Sequence, residues 1–252
     1  MRPLALVTGG CHRLGAAIAA RLAAAGWDLA LHGHRHAAPE PALADAIRAA
    51  GIEASVIEAD FADLATAHGL VARVANERGR APQLLVNSAA MFGQDRLPDV
   101  TADALLAHYA VNCAAPVLLM KGFAAIGADA PPGTRAIVNI LDQRIEQPHG
   151  DQLAYTLSKI ALAGATRIAA REFAPAIRVN AVAPGLTVPT ADYDAASLDR
   201  LGDLMPLARL PRPDEIADAV LFLAGARSIT AQTLFVDGGA RLESWRRDFT
   251  DL

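Results

Sequence analysis

Cysteine is scarce in this chain: Cys11 and Cys113 are the only two, far apart, with no Cys-x-x-Cys pair. That excludes a disulfide framework and a cysteine zinc site, and it points to a reducing compartment. Aromatic residues make up only 5%. Excess charge is lacking too: 27 acids stand against 23 Lys and Arg, a net charge of −4. No basic surface for nucleic acid is expected from such a balance. No uninterrupted apolar run approaches the roughly 20 residues of a membrane span. In the opening MRPLALVTGG the apolar stretch meets Gly9, Gly10, His12 and Arg13 too soon for a signal-peptide core. The expectation is a cytoplasmic protein with no nucleic-acid or membrane partner.

What the chain does have is alternation. Short apolar runs at 4–8, 29–32, 54–58, 84–87, 136–140, 177–182 and 233–236 are separated by helix-length patterns at 14–25, 41–50, 63–78, 101–125, 153–173 and 214–224. Strands that read as continuous apolar runs are buried on both faces, as in a parallel sheet. Right-handed crossovers then place helices on both sides, so the expected fold is a doubly wound α/β Rossmann domain of about seven parallel strands spanning 1–252. The stretch 186–213, after Pro184-Gly185, is too long and unpatterned for a simple connection and reads as a substrate lid.

The first strand runs into TGGCHRLG (8–15) and then a helix. A glycine turn at a helix N-terminus presents backbone N–H groups to a pyrophosphate, which makes Gly9, Arg13, Leu14 and Gly15 candidate cofactor contacts. After the second strand the chain reads LHGHRHAAP, with Arg35 and no acid between Asp28 and Glu40. An acid there would suit free ribose hydroxyls; an arginine suits a 2′-phosphate, so NADP(H) is the expected cofactor, with His34 and Arg35 at its phosphate. His32, His34 and His36 alternate and would share one face of a strand, but the adenosine-phosphate pocket is preferred to a metal site and no metal is expected. Asp60 in EADF is either an adenine contact or a helix N-cap. Asn87, ending the fourth strand in VNSAA, is either a cofactor contact or a strand-terminal hydrogen-bonding residue.

Tyr155 and Lys159 lie one helical turn apart in AYTLSK, and Asp142 precedes the tyrosine by thirteen residues. A lysine on the same face favours the phenolate and is expected to lower the tyrosine pKa, suiting it to proton exchange. Asp142 carries the chemical discrimination. Reduction of a ketone builds negative charge on oxygen, which an ionised carboxylate repels. Reduction of a ring C=N bond builds charge on a nitrogen that must be protonated, and a carboxyl beside Tyr155 helps deliver that proton or accepts hydrogen bonds from an amino-pyrimidinone edge.

In order along the chain, TGGCHRLG, VNSAA, Asn112 in AVNCAAP, Tyr155-x-x-x-Lys159, VAPG (182–185) and VDGG (236–239) resemble the short-chain dehydrogenase/reductase family. The resemblance implies NAD(P)-dependent hydride transfer, with Tyr155 as acid/base and also a cofactor contact, Lys159 on the nicotinamide ribose, and Asn112 holding a water of the proton relay. It also places Pro184, Gly185 and Thr187 beside the nicotinamide. Two positions depart from the usual pattern: Arg13 stands at the middle glycine of the turn, and Asp142 at the usual serine. Both departures, with Phe92 in NSAAMF, resemble the pteridine reductase and dihydromonapterin reductase branch. There the phenylalanine stacks on the pterin, so Arg13, Phe92, Asp142 and Tyr155 are candidate substrate contacts; for Phe92 a plain core role is the other reading.

The resemblance further implies a homotetramer, packed partly through the helices at 101–125 and 153–173, and a chain end that approaches a neighbouring site, which would bring in Trp245 and its arginines. Tyr193 with Asp192 and Asp194 is placed in the lid. The expected function is NADPH-dependent reduction of a small pterin or folate-like heterocycle. The alternatives are a ketone or acyl-carrier carbonyl reductase and a non-catalytic NADP-binding regulatory protein.

Overall fold

All seven expected strands form, within two residues of the expected limits: β1 Leu4–Thr8, β2 Asp28–Gly33, β3 Ala54–Glu58, β4 Leu84–Asn87, β5 Arg135–Ile140, β6 Ile177–Pro184 and β7 Thr233–Val236. The computed structural model describes residues 1–35, 37–127, 130–188 and 195–244, the last segment without the side chains of 195–197. His36, Asp192, Tyr193, Asp194, Trp245, Arg246 and Arg247 lie outside the described residues. Every pairing is parallel and the order is β3-β2-β1-β4-β5-β6-β7, which puts the topological switch between β1 and β4.

Strand alternation sorts side chains between two cores. Ala5 and Val7 of β1 join Val86 and Val138 on the face covered by α1 (Arg13–Ala24), α2 (Pro41–Ala50) and α8 (Pro213–Gly225). Leu4 and Leu6 join Leu85, Ile137 and Val179 on the opposite face, under α3 (Leu64–Arg78), α5 (Ala115–Ala125) and α6 (Leu153–Glu172). Two buried arginines close helix ends at the foot of the sheet. Arg178 donates to the carbonyls of Leu223 and Ala224 at 2.7 and 2.6 Å, and Arg135 to that of Phe123 at 2.5 Å. Each satisfies last-turn carbonyls and sits at the negative end of a helix dipole.

Two segments differ from expectation. The single helix expected over 101–125 is divided into α4 (Ala102–Tyr109), a π-helical turn at Ala110–Ala114, and α5. Pro116 has no N–H to give the Asn112 carbonyl and its ring crowds that oxygen, so the ladder widens just before it. The composite Ala102–Ala125 is 24 residues long with mean hydropathy 1.3, long and apolar enough by those measures to cross a membrane. Here it packs against α3 and α6 and carries the fully buried Asn112, which is how a core helix behaves. Leu106, Tyr109, Val117, Leu157, Ile160 and Ile168 nevertheless remain exposed on α4, α5 and α6. The second difference lies in the expected lid, where Ala195–Asp203 forms a helix, α7, that buries Leu201 beside Met205 and Ala240.

Candidate active site

The glycine turn at the end of β1 is built by contacts too close for a side chain. A Cβ on Gly15 would lie 2.0 Å from the Gly9 carbonyl oxygen, and Gly9 itself has φ +62°. Arg13 adopts φ +53° where the family pattern has glycine, a left-handed conformation that non-glycine residues seldom hold. Its guanidinium makes a long 3.4 Å contact to the Val188 carbonyl across the cleft. At the N-terminus of α1 the N-cap residue His12 makes no capping bond and the first turn holds no acid; Glu40 Oε2 accepts from the Arg13 N–H at 3.3 Å. A positive helix end left in this state suits an anion.

His32 holds this turn from beneath. The Gly9 N–H donates to Nδ1 at 3.2 Å, so the ring proton is on Nε2, which donates to the Ala59 carbonyl at 3.0 Å. The ring also stacks on Phe61 with centroids 4.1 Å apart. His32 is therefore a support of the turn, a role its alternation with His34 did not signal. Among the described residues no group of three or more His, Cys, Asp or Glu is arranged to hold a metal. Burial lowers the His32 pKa to about 4. Because the unfolded ring takes up its proton near 6.5, stability is fully present above that pH and is lost as pH falls towards 4, by about 3 kcal/mol. Urea midpoints measured from pH 7 to 4 should fall less steeply in His32→Gln than in the parent protein; parallel profiles would exclude this source.

Thr8, not singled out in the sequence, ties the turn to the neighbouring strand: its Oγ1 accepts from the Ser88 and Ala89 N–H groups, both at 3.0 Å. Beyond β2, His34 Nε2 lies 3.2 Å and the Arg35 guanidinium 3.7 Å from the same Asp60 oxygen. The second Asp60 oxygen accepts from the Ala62 N–H at 2.9 Å, and this bond, followed by that to His34, lowers the carboxyl pKa. His34 lines the central cleft, whereas Arg35 and Asp60 do not. Asn87 does not line it either: its amide donates to Asn139 Oδ1 at 2.8 Å, in a buried cross-strand link. The Asn87 amide is thus turned into the sheet, with its Oδ1 left without a hydrogen-bond partner among the described residues.

The cleft has a volume of about 510 Å³ and crosses the C-terminal ends of the strands, from the glycine turn past Ser88–Ala90 to Ile140–Arg144 and Pro184–Val188. At its centre the Tyr155 hydroxyl donates to Asp142 Oδ2 at 2.9 Å, while Asp142 Oδ1 accepts from the Arg144 N–H at 2.9 Å. Lys159 Nζ donates to the Ile140 carbonyl at 2.8 Å and lies 5.7 Å from the tyrosine ring centre. The expected lowering of the tyrosine pKa does not occur. Burial and the adjacent Asp142 charge push Tyr155 well above its usual value, and the ammonium is directed at a carbonyl instead. Burial also raises the Asp142 carboxyl and lowers Lys159 to about 8. Tyr155 therefore keeps its proton and is arranged as a proton donor rather than as a standing phenolate, and Asp142 holds its proton to higher pH than an exposed aspartate.

Phe92 is 50% exposed and meets Tyr155 edge-on, centroids 4.9 Å apart, which excludes the plain core role. Asn112 lies behind the cleft wall. Its Nδ2 donates to the Met91 carbonyl at 2.8 Å and to Ser158 Oγ at 2.9 Å, and its Oδ1 accepts from the Met91 N–H at 2.7 Å. Its side chain thus grips the segment carrying Phe92 and joins it to α6. Pro184, Gly185 and Thr187 line the cleft, with Thr187 Oγ1 donating to the Gly185 carbonyl at 2.9 Å. A Cβ at Gly185 would lie 2.8 Å from Asp237 Cα, so the VAPG and VDGG turns touch. Sequence reasoning missed Arg144, which is buried in the cleft wall with NH1 3.0 Å from Asp151 Oδ1. The signal available was a charged LDQR run directly after an apolar strand.

A protein-family model described as enoyl-(acyl carrier protein) reductase matches residues 11–241. Pteridine reductase 1 of Leishmania tarentolae is 34% identical, over 95% of this chain and 96% of its own. A granaticin polyketide synthase putative ketoacyl reductase of Streptomyces violaceoruber is 32% identical, over 95% of this chain and 96% of its own. The crystal structure of FolM alternative dihydrofolate reductase 1 from Brucella canis, complexed with NADP, superposes with a TM-score of 0.87 at 35% identity, covering 96% of this chain and 95% of that one. Parallel sheet order, glycine turn, Tyr155 and Lys159 over one cleft, and these matches along nearly the whole length agree: the chain belongs to the short-chain dehydrogenase/reductase family.

Proposed function

We propose that this reductase uses NADPH to reduce a C=N bond in a pterin or folate-like heterocycle. The observation that carries the reading is the 2.9 Å hydrogen bond between Tyr155 and Asp142 within the cleft. Phe92, half exposed beside that tyrosine, offers an aromatic face for a flat heterocycle. The α1 N-terminus, whose own N-cap residue makes no capping bond, and the glycine turn fit a pyrophosphate, and the closeness of Gly15 to Gly9 leaves the backbone bare where it would approach. His34 and Arg35 fit a 2′-phosphate, with Asp60 in contact with both side chains. NADPH, when bound, supplies the hydride.

The residues of this chain supply the proton. The raised carboxyl of Asp142 keeps a proton at pH values where an exposed aspartate has lost it. Protonated Asp142 donates to the Tyr155 oxygen, which turns the phenolic hydrogen towards the substrate nitrogen; Tyr155 gives that hydrogen up and regains one from Asp142. Lys159, anchored on Ile140, presents a cation to ribose hydroxyls. Asn112 positions Met91 and Phe92 through its side chain, and the family resemblance gives it the relay water.

The second reading, a carbonyl reductase, is favoured by the similarity to the ketoacyl reductase. NADPH consumption with dihydrobiopterin, dihydromonapterin and dihydrofolate, run beside 3-keto substrates, separates the two. The expected result is turnover of at least one dihydropterin or dihydrofolate; turnover of ketones alone would overturn the proposal.

A further inference from the structure

We propose that Asp95 is a positioning residue: it caps the helix that carries Tyr155 and Lys159 from the segment that carries Phe92, and so latches substrate platform and proton donor together. Helix α6 begins without a cap of its own. Gln152, at its N-cap, sits at φ 51°, ψ 43° and makes no side-chain capping bond. The cap comes from 59 residues earlier in the chain, where Asp95 Oδ1 and Oδ2 accept from the Ala154 N–H at 3.2 and 3.4 Å. The Asp95 carbonyl adds a weak 3.5 Å contact from the Leu153 N–H. A carboxylate here satisfies an orphan donor and opposes the positive helix end.

The segment from Met91 to Asp95 is held at two further points. Asn112 grips both backbone groups of Met91, and Gly93 packs so closely on buried His108 that a Cβ would lie 3.0 Å from its Cε1. Phe92 lies between these holds, edge-on to Tyr155 one residue beyond the capped Ala154. Releasing Asp95 frees one end of the segment and the first turn of α6 together. The inference about turnover rests on the pterin reading; the latch itself does not.

The test uses the full chain with Asp95→Ala and Asp95→Asn, since asparagine caps helices about as well as aspartate and alanine does not. Amide hydrogen exchange in the ligand-free protein should rise at 91–96 and 153–156 in Asp95→Ala and stay near the parent level in Asp95→Asn. In turnover, Asp95→Ala should raise KM for the dihydropterin roughly 5- to 30-fold and leave KM for NADPH unchanged. Phe92→Ala should then cost less in the Asp95→Ala background than in the parent, because the ring is already misplaced. Unchanged exchange, equal losses in the two Asp95 variants, or additivity with Phe92→Ala would each overturn the latch. If the parent protein turns over no pterin, the function proposal fails, while the exchange experiment still decides the latch.

Discussion

Tyr155→Phe should lower dihydropterin reduction by about 10²- to 10⁴-fold, the range lost when a positioned general acid is removed. NADPH affinity should change little. The phenol oxygen is bonded to Asp142, and the ring keeps its edge contact with Phe92 in the variant. The loss should appear in kcat at saturating dihydropterin, with tryptophan or NADPH fluorescence reporting binding separately. Retained turnover would mean that the proton reaches the substrate by another route, with Asp142 itself the nearest candidate. Equal NADPH binding with no turnover in parent and variant alike would instead favour a regulatory protein.

Asp142→Ser should lower pterin reduction by about 10²-fold or more while leaving NADPH binding unchanged and 3-keto reduction the same or faster. Serine donates to a developing oxyanion but holds no proton reserve for a ring nitrogen. The pH profile provides a second, independent readout. Burial raises the Asp142 pKa, so its proton is present at low pH and is lost as pH rises through the raised value; kcat/KM for the pterin falls over that interval. That limb should vanish in Asp142→Ser. Lys159, lowered to about 8 by burial, loses its charge above that pH in the parent; in Asp142→Ser, without the carboxylate that holds it up, this alkaline limb should move to lower pH. Equal pterin activity in the two proteins would return this chain to the unspecific carbonyl reductases.

The site was legible where chemistry follows local spacing. Tyr155 and Lys159 are four apart on one helix, so their convergence required only that 153–173 be helical. The glycine turn was legible because a strand running into closely spaced glycines and then a helix has few alternatives. Asp142 and Phe92 were found through their places beside these motifs, and the structure brings both to Tyr155. The tyrosine pKa was misjudged for a physical reason: spacing places the ammonium near the ring, but only the fold shows it donating to Ile140 and shows how deeply the hydroxyl is buried. Asn87 and Asn112 ended on protein partners for the same reason, since a side chain's direction at a strand end or within a π turn depends on what the neighbouring element offers.

By itself the sequence determined the seven parallel strands and the helices on both faces, because a sheet buried on both sides must be written as continuous apolar runs. It also determined which reactive residues were available. The tertiary structure alone decided what holds them in place: His32 under Gly9, Thr8 against Ser88 and Ala89, Asn112 on Met91, Asp95 on Ala154. These bonds join residues distant in sequence, and a hydrogen bond leaves no periodic mark on the chain; its partner exists only once packing has excluded water and brought the two segments together.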